Sequence, residues 1–223
     1  MIKKNAAKVG QQRDGETEQR ILEAARTVFV RSGTSGARMQ EIAEEAGVNQ
    51  ALLHYYFRSK EGLSQAVFRD AAGKMFPAIL RTLGSDLSVD EKIDALVETY
   101  LDNVSRTPYL PGYILSELHY HPERITQVLG NITGTPEGGH IPETVRPLFD
   151  KLDRQLAEEA RAGRMRKINS QQFVVNLLSL CVFPFAARPM LRAVLGLDDD
   201  AFARFIKERR KELPQYIRNA MRP

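Results

Sequence analysis

Apolar residues recur at intervals of three and four positions along almost the whole chain, and this periodicity constrains the fold more than any other feature. Such a spacing places the apolar side chains on one face of an α-helix. No segment shows the sustained alternation of apolar and polar residues that is typical of a half-buried strand. Glycine and proline residues divide the pattern into segments of ordinary helix length. The sequence therefore predicts an all-α fold.

Composition excludes several classes of protein. The 223 residues are 43% hydrophobic and 27% charged, as in an ordinary globular protein that buries a core. The single cysteine, Cys181, excludes an intramolecular disulfide and a cysteine-based zinc cage. No run reaches the ~18 apolar residues of a membrane span, and the polar N-terminus lacks the apolar core of a signal peptide. We therefore expect a cytoplasmic protein without a membrane partner.

The helical pattern and its interruptions divide the chain into three predicted parts. Residues 1–15 are polar and aperiodic, which indicates a flexible basic arm. Residues 16–62 contain three helical segments, of which the second and third are short. Residues 63–223 contain the remaining, mostly longer helices, and a glycine-rich loop is predicted over residues 130–140.

One segment of the second part carries the most specific pattern. It predicts two short helices, Met39–Ala46 and Gln50–Phe57, joined by a turn at Gly47. The small Ala43 allows the two helices to approach, and glycine tolerates the left-handed backbone of the turn. Leu53 fills the angle between the helices. This spacing predicts a helix-turn-helix whose second helix is free to enter a DNA major groove.

A wider set of residues resembles the tetracycline-repressor family of transcriptional regulators, and the match is dense over about residues 17–68. The resemblance implies a three-helix DNA-binding domain over residues 16–62 and an effector-binding and dimerisation domain over residues 63–223. It also implies a homodimer on a palindromic operator. The matching positions are Arg20, Leu22, Ala24, Ala25, Val28, Phe29, Gly33, Ile42, Ala43, Ala46, Gly47, Val48, Leu53, Tyr55, Tyr56, Phe57, Lys60, Glu61 and Leu63.

Carried over position by position, the resemblance implies a set of DNA-binding residues around the second helix. Gln50 suits an adenine base edge, whereas Tyr55 and Lys60 suit phosphates. Two positions depart from the family pattern, because Arg38 stands where threonine is frequent and His54 where tyrosine is usual. An arginine cannot accept the capping hydrogen bond that threonine accepts. The full predicted set is Arg38, Asn49, Gln50, Ala51, His54, Tyr55, Tyr56 and Lys60.

The resemblance also implies a pocket for a small-molecule effector and a dimer interface. The pocket would lie among the middle helices, although each candidate residue also fits an ordinary core. The last two long helices would pack against their mates in the dimer, although Phe173–Ala187 also fits a helix buried within one chain. The pocket candidates are Phe76, Tyr100, Tyr109, Tyr113, Phe149 and Cys181. The interface candidates are Phe173, Leu177, Leu180, Phe202, Phe205 and Ile206.

The distribution of charge agrees with a nucleic-acid partner without demonstrating one. Residues 1–74 hold twelve basic and nine acidic residues, and the net charge of the whole chain is +4. A basic arm can bind phosphates or a minor groove, and a solvated tail is the alternative. The basic residues that flank the helix-turn-helix, rather than lie on its second helix, are Lys3, Lys4, Lys8, Arg38, Arg58 and Lys60.

Two other classes of function, an enzyme and a protein-binding adaptor, fit the sequence less well than a regulator. An enzyme is disfavoured, because the sequence has no nucleophile elbow and no phosphate-binding glycine loop. Glu117 and His121 can share a helix face, but two ligands make a poor metal site, so we expect no metal and no cofactor. A helical adaptor that acts through protein partners remains the alternative. The sequence predicts a ligand-responsive repressor that binds double-stranded operator DNA.

Overall fold

In a computed structural model, the described residues are 2–105, 107–134 and 141–223, with side chains described for 14–105, 107–134 and 143–223. Over these residues the chain forms eleven α-helices and no strand, which confirms the all-α prediction. The helices separate into two units, the first extending to Ala71 and the second running from Ala72 to Pro223.

Four helices contribute to the first unit. They are α1 (Ile2–Gly36), α2 (Met39–Ala46), α3 (Gln50–Phe57) and the first part of α4 (Lys60–Gly84). The bounds of α2 and α3 agree with the sequence prediction. The division into units falls inside α4, later than the predicted boundary at residue 62.

The beginning and the end of α1 differ in their agreement with the sequence. The backbone of residues 2–15 is helical, whereas the absence of periodicity there indicated an irregular arm. The side chains of residues 1–13, including the three lysines of the arm, lie outside the described residues. Near its end α1 is broken at Gly33, where φ is 68° and ψ is 160°. Glycine adopts this positive-φ conformation without the strain that a Cβ atom would bring.

The core of the first unit is formed by the apolar faces that the periodicity predicted. An ion pair between Arg26 Nη2 of α1 and Asp70 Oδ2 of α4, 2.5 Å apart, joins these two helices beside the core. The buried residues are Ile21, Leu22, Ala24, Ala25, Val28 and Phe29 of α1, Ile42, Ala43 and Ala46 of α2, Leu53 and Phe57 of α3, and Leu63, Val67 and Phe68 of α4.

The second unit contains the rest of α4 and seven further helices. The sequence prediction omitted the short α10, although Pro189 in its first turn is a typical helix start signal. α7 also extends to Thr133, into the predicted loop, of which residues 135–140 lie outside the described chain. The seven helices are α5 (Val89–Ser105), α6 (Leu110–Tyr120), α7 (Glu123–Thr133), α8 (Ile141–Arg161), α9 (Ser170–Ala186), α10 (Arg188–Leu195) and α11 (Asp199–Ala220).

Polar side chains from α5 and α8 fasten the end of α4. The buried Lys92 ammonium donates to the carbonyl of Leu83 at 2.9 Å and to Gln155 Oε1 at 2.5 Å. Lys151 Nζ donates to the carbonyl of Gly84 at 2.8 Å. The last carbonyls of a helix have no partner within the helix, so these two ammonium groups supply the missing donors. Burial lowers the pKa of Lys92.

Candidate nucleic-acid interface

The turn between α2 and α3 has the geometry that the sequence predicted. Gly47 ends α2 in the left-handed region, with φ 62° and ψ 39°. The N–H groups of Gly47 and Val48 donate to the carbonyls of Glu44 and Ala43, at 3.1 and 3.0 Å. A residue with a Cβ atom is strained in this conformation, whereas glycine is not. The turn therefore directs α3 away from the axis of α2.

Capping differs between these two short helices. Asn49 caps α3, because its Oδ1 accepts the N–H of Leu52 at 2.8 Å. Arg38 occupies the corresponding position before α2 in an extended conformation and makes no capping bond with its side chain. The N-cap side chain therefore gives the first N–H groups of α2 no acceptor, and the Arg38 side chain is exposed to solvent. A helix start carries a partial positive charge that favours an anion.

α3 separates its core residues cleanly from its exposed residues. Leu53 and Phe57 are buried in the first unit. Gln50, Ala51, His54 and Tyr55 are all exposed. Because a helix turns by about 100° per residue, the four exposed residues fall within an arc of about 140°, in which Ala51 and Tyr55 lie farthest from the buried pair. The structure thus brings four of the predicted DNA-binding residues onto one surface, which we call the α3 face.

The aromatic residues at the end of α3 have different environments. Tyr55 is 78% exposed and its ring meets that of Tyr56 edge-on, with centroids 5.4 Å apart. The Tyr56 hydroxyl donates to Asp14 Oδ1 at 3.2 Å. Partial burial and the Asp14 carboxylate raise the pKa of Tyr56. Tyr55 is therefore available to a ligand, whereas Tyr56 already binds within the chain.

His54 is oriented by the backbone that follows it. Its Nδ1 lies 3.0 Å from the carbonyl oxygen of Arg58, to which it donates in the tautomer that carries the Nδ1 proton. This leaves Nε2 as the outward nitrogen of the ring. Arg58 itself has a positive φ of 62° although it is not a glycine. Its exposed side chain follows α3, and Arg58 belongs to the predicted flanking basic residues rather than to the predicted DNA-binding set.

Lys60 lies at the start of α4 in a position that the sequence did not reveal. Its ammonium donates to the carbonyls of Ser35 at 2.9 Å and Ala37 at 3.2 Å. These carbonyls belong to the end of α1 and the link to α2, which precede Lys60 by more than twenty residues. Two of its three N–H groups are therefore used to hold the first unit together, and one is left for a ligand.

Comparison with known proteins places this geometry in a family. The family model for bacterial regulatory proteins of the tetR family matches residues 21–67. The HTH-type transcriptional regulator RutR of Escherichia coli (strain K12) is 48% identical over 185 residues, which are 82% of this chain and 81% of RutR. The chain belongs to the TetR family.

Other comparisons cover different parts of this TetR-family chain. The HTH-type transcriptional regulator SrpR of Pseudomonas putida is 37% identical over 89 residues, and the chain spans only 40% of the length of SrpR. The crystal structure of the transcriptional regulator SCO4942 from Streptomyces coelicolor shares the fold. Its TM-score is 0.62 at 20% identity, and the match covers 93% of this chain and 99% of SCO4942.

The structure distributes the predicted pocket residues over different environments. Tyr100 and Cys181 belong to the core cluster of the second unit. Burial raises the pKa of both groups, that of Cys181 to about 12. Tyr113 is buried as well, whereas Tyr109 is 48% exposed. The remaining candidates, Phe76 and Phe149, are half-buried.

An open cleft of about 600 Å³ is present in the second unit, near the start of α9. None of the six pocket candidates lines it. It therefore gives no support to the predicted pocket. The residues that line it are Asp153, Leu156, Ala157, Arg166, Lys167, Ile168, Asn169, Gln172 and Asn176.

Four of the six predicted interface residues are buried within the protomer. Phe173, Leu177, Phe202 and Ile206 each pack into the core of their own chain. Leu180 and Phe205 are half-buried against the same core. The sequence showed that α9 is apolar nearly all round, but helical periodicity cannot identify the exposed face of such a helix.

The described residues hold no group of three or more His, Cys, Asp or Glu side chains arranged to bind a metal ion. Glu117, one of the two residues considered as metal ligands, forms a buried ion pair with Arg124. Within the same residues, no single helix has both the length and the apolarity to cross a membrane, and the pair α9 and α10 has them only jointly across a bend of 69°.

Proposed function

We propose that this TetR-family protein is a repressor that binds a palindromic DNA operator as a homodimer and is released by a small-molecule effector. The α3 face carries this proposal, because four exposed and mostly polar residues stand on a helix that its own core residues hold outward. A helix presented in this way fits the major groove of B-DNA. Because the proposed operator DNA lies in the cytoplasm, we propose that the protein acts there.

The contacts divide into those that read bases and those that bind phosphates. The Gln50 amide suits the N6 and N7 groups of adenine, and the methyl group of Ala51 suits a thymine methyl. Tyr55 and Arg38 supply donors to phosphates on either side of the groove, together with the uncapped start of α2. The remaining N–H group of Lys60 adds a phosphate contact close to α3.

The proposed dimer interface differs from the residues that the sequence indicated. Val175, Phe183 and Tyr216 of α9 and α11 are more than half exposed, at 58%, 52% and 60%. Large exposed apolar groups on neighbouring helices are typical of a surface that another protein covers. A second copy would cover them and bring two α3 helices to successive major grooves, about 34 Å apart.

Release follows from a shift between two dimer conformations. An effector that binds the second unit more tightly in one conformation increases the population of that conformation. α4 is the helix that carries such a change, because it runs through the division between the two units and its end is fastened by Lys92 and Lys151. A dimer whose α3 helices are wrongly spaced then dissociates from the operator.

Fluorescence anisotropy with duplex DNA from the region upstream of the protein's own gene tests this function. We expect tight binding by the wild type that falls steeply as salt is raised from 50 to 200 mM, because phosphate contacts release counterions. Tyr55→Ala should weaken binding to all sequences, whereas Gln50→Ala should change the preferred sequence by about 1–3 kcal/mol at one base pair.

Leu52→Ala serves as the matched control, because this half-buried residue of α3 lies outside the α3 face. It should leave sequence preference unchanged. Analytical ultracentrifugation of Phe183→Glu tests the dimer and should show monomers. DNA affinity that does not depend on salt and is unaffected by substitutions on the α3 face would contradict the proposal. It would favour the alternative, a helical adaptor that acts through protein partners.

A further inference from the structure

A buried arginine in the second unit has more hydrogen-bond donors than the chain satisfies. Arg188, the first residue of α10, is only 6% exposed. Its Nη2 donates to Asp199 Oδ1 at 2.6 Å. Its Nε and Nη1 are buried and find no partner among the described residues. Buried polar groups are almost always paired, so two unpaired donors on one charged group indicate that something else binds there.

Two aromatic rings hold the guanidinium in place. Its carbon lies 4.3 Å from the centre of the Tyr109 ring and 5.0 Å from that of the Phe202 ring. Contacts with ring faces stabilise the cation without using any of its N–H groups. The guanidinium is therefore held by Tyr109, which precedes α6, by Phe202 of α11 and by its bond to Asp199, while Nε and Nη1 stay unpaired.

The positive charges around Arg188 outnumber the carboxylates that pair with them. Asp199 is shared, because the same Oδ1 atom lies 2.9 Å from Arg192 Nη1. The neighbouring Asp198 is committed elsewhere, since it caps α11 by accepting the N–H of Ala201 at 2.7 Å. Asp200 is exposed at the start of α11. One carboxylate thus serves two guanidinium groups, and a further anionic group would complete the pairing.

The guanidinium lies close enough to the surface for a ligand to reach it. Tyr109 is 48% exposed, and the side chain of Asp199 is 69% exposed, although Arg188 between them is buried. Access to the unpaired donors requires the Tyr109 ring over the guanidinium to move. A ligand in this position contacts residues of α10 and α11 and Tyr109 just before α6, and the proposed dimer interface includes α11.

We propose that Arg188 anchors a binding site for the carboxylate of a small organic acid. The carboxylate oxygens accept from Nε and Nη1, and the Tyr109 ring packs against the body of the ligand. The claim that this ligand is the effector rests on the proposed function. The claim that a carboxylate binds here rests only on the unpaired donors of Arg188.

Thermal unfolding and titration calorimetry of the full chain test the site with benzoate and acetate. Benzamide and acetamide are the matched neutral probes, and ionic strength is held constant. The carboxylates should raise the unfolding temperature and bind at least tenfold more tightly than the amides. Inorganic phosphate is the third probe. If phosphate binds as tightly as benzoate, the site binds anions in general and is not specific for organic acids.

Three variants identify the residues. Arg188→Gln should weaken benzoate binding at least tenfold. Asp199→Asn should tighten it three- to tenfold, because it removes a competing carboxylate and frees a donor. Arg192→Gln, the matched control, should change it less than threefold. No benzoate binding by the wild type, or weaker binding by Asp199→Asn, would overturn the site even if Arg188→Gln fails to fold.

DNA binding separates this inference from the function on which its effector role rests. Benzoate that binds at Arg188 but does not weaken operator binding contradicts the effector role and keeps the site. A chain that binds no DNA contradicts the proposed function. The benzoate titration still tests the carboxylate site independently.

Discussion

α3 and α9 are both rich in apolar residues, yet they relate to their surroundings in opposite ways. α3 buries Leu53 and Phe57 and exposes a face of mostly polar residues. α9 buries Phe173, Leu177 and Cys181, but it also exposes the apolar Val175 and Phe183. On α3, polarity distinguishes the outer face from the inner face. On α9, the outer face mixes the apolar Val175 and Phe183 with polar residues such as Gln172, Asn176 and Ser179, so polarity distinguishes the two faces less sharply.

The contrast teaches where a functional surface can be read from a pattern. A helix with one apolar stripe has one way to pack, so its remaining residues are left for a ligand. A helix that is apolar all round has several ways to pack, and its neighbours decide which side is covered. The following predictions test whether this difference holds energetically.

The largest effect should separate two phenylalanines of α9. Phe173→Ala should lower the free energy of unfolding by about 3–5 kcal/mol, because it leaves a cavity in the core. Phe183→Ala should lower the stability of the protomer by about 1 kcal/mol or less, because the side chain is half exposed. Urea unfolding at low protein concentration measures both. Equal losses would mean that α9 has no distinct inner and outer face.

A similar pair divides α3. Leu53→Ala should cost about 2–5 kcal/mol of stability, since Leu53 is fully buried. Gln50→Ala should change stability by about 0.5 kcal/mol or less, since its side chain is exposed. Circular dichroism during urea unfolding gives both values. A large loss for Gln50→Ala would show that the α3 face contributes to folding and weaken its assignment to DNA.

Capping gives a smaller effect. Asn49→Ala should cost about 1 kcal/mol, because the N–H of Leu52 loses its acceptor. Arg38→Ala should cost little, because Arg38 makes no capping bond. Arg38→Ser should stabilise α2 and at the same time weaken DNA binding. Thermal unfolding and anisotropy, measured on the same samples, check both halves of this prediction.

The smallest effect at neutral pH concerns Cys181. Its pKa of about 12 lies above the ordinary thiol value, so the native thiol should not react with a disulfide reagent at pH 8 until the protein unfolds. A raised pKa in the folded state gives a contribution to stability that is complete below pH 9 and is lost as the pH rises towards 12. Rapid labelling of native protein would place Cys181 at the surface instead.

Local sequence was sufficient where neighbouring residues decide the structure. The bounds of α2 and α3 and the left-handed Gly47 were all predicted, because each depends on residues within one turn of helix. α10 was missed, although the proline in its first turn, Pro189, is a typical helix start signal. Lys60 was predicted to contact phosphate alone, and its bonds to Ser35 and Ala37 join residues that are distant in sequence.

By itself the sequence determined the all-α class, the helix-turn-helix and the residues of the α3 face, because helical periodicity and backbone sterics act over a few residues. Only the tertiary structure decided which side of α9 is buried and which donors of Arg188 remain unpaired. Both depend on packing among helices that lie far apart along the chain. No local pattern of polar and apolar residues encodes that packing.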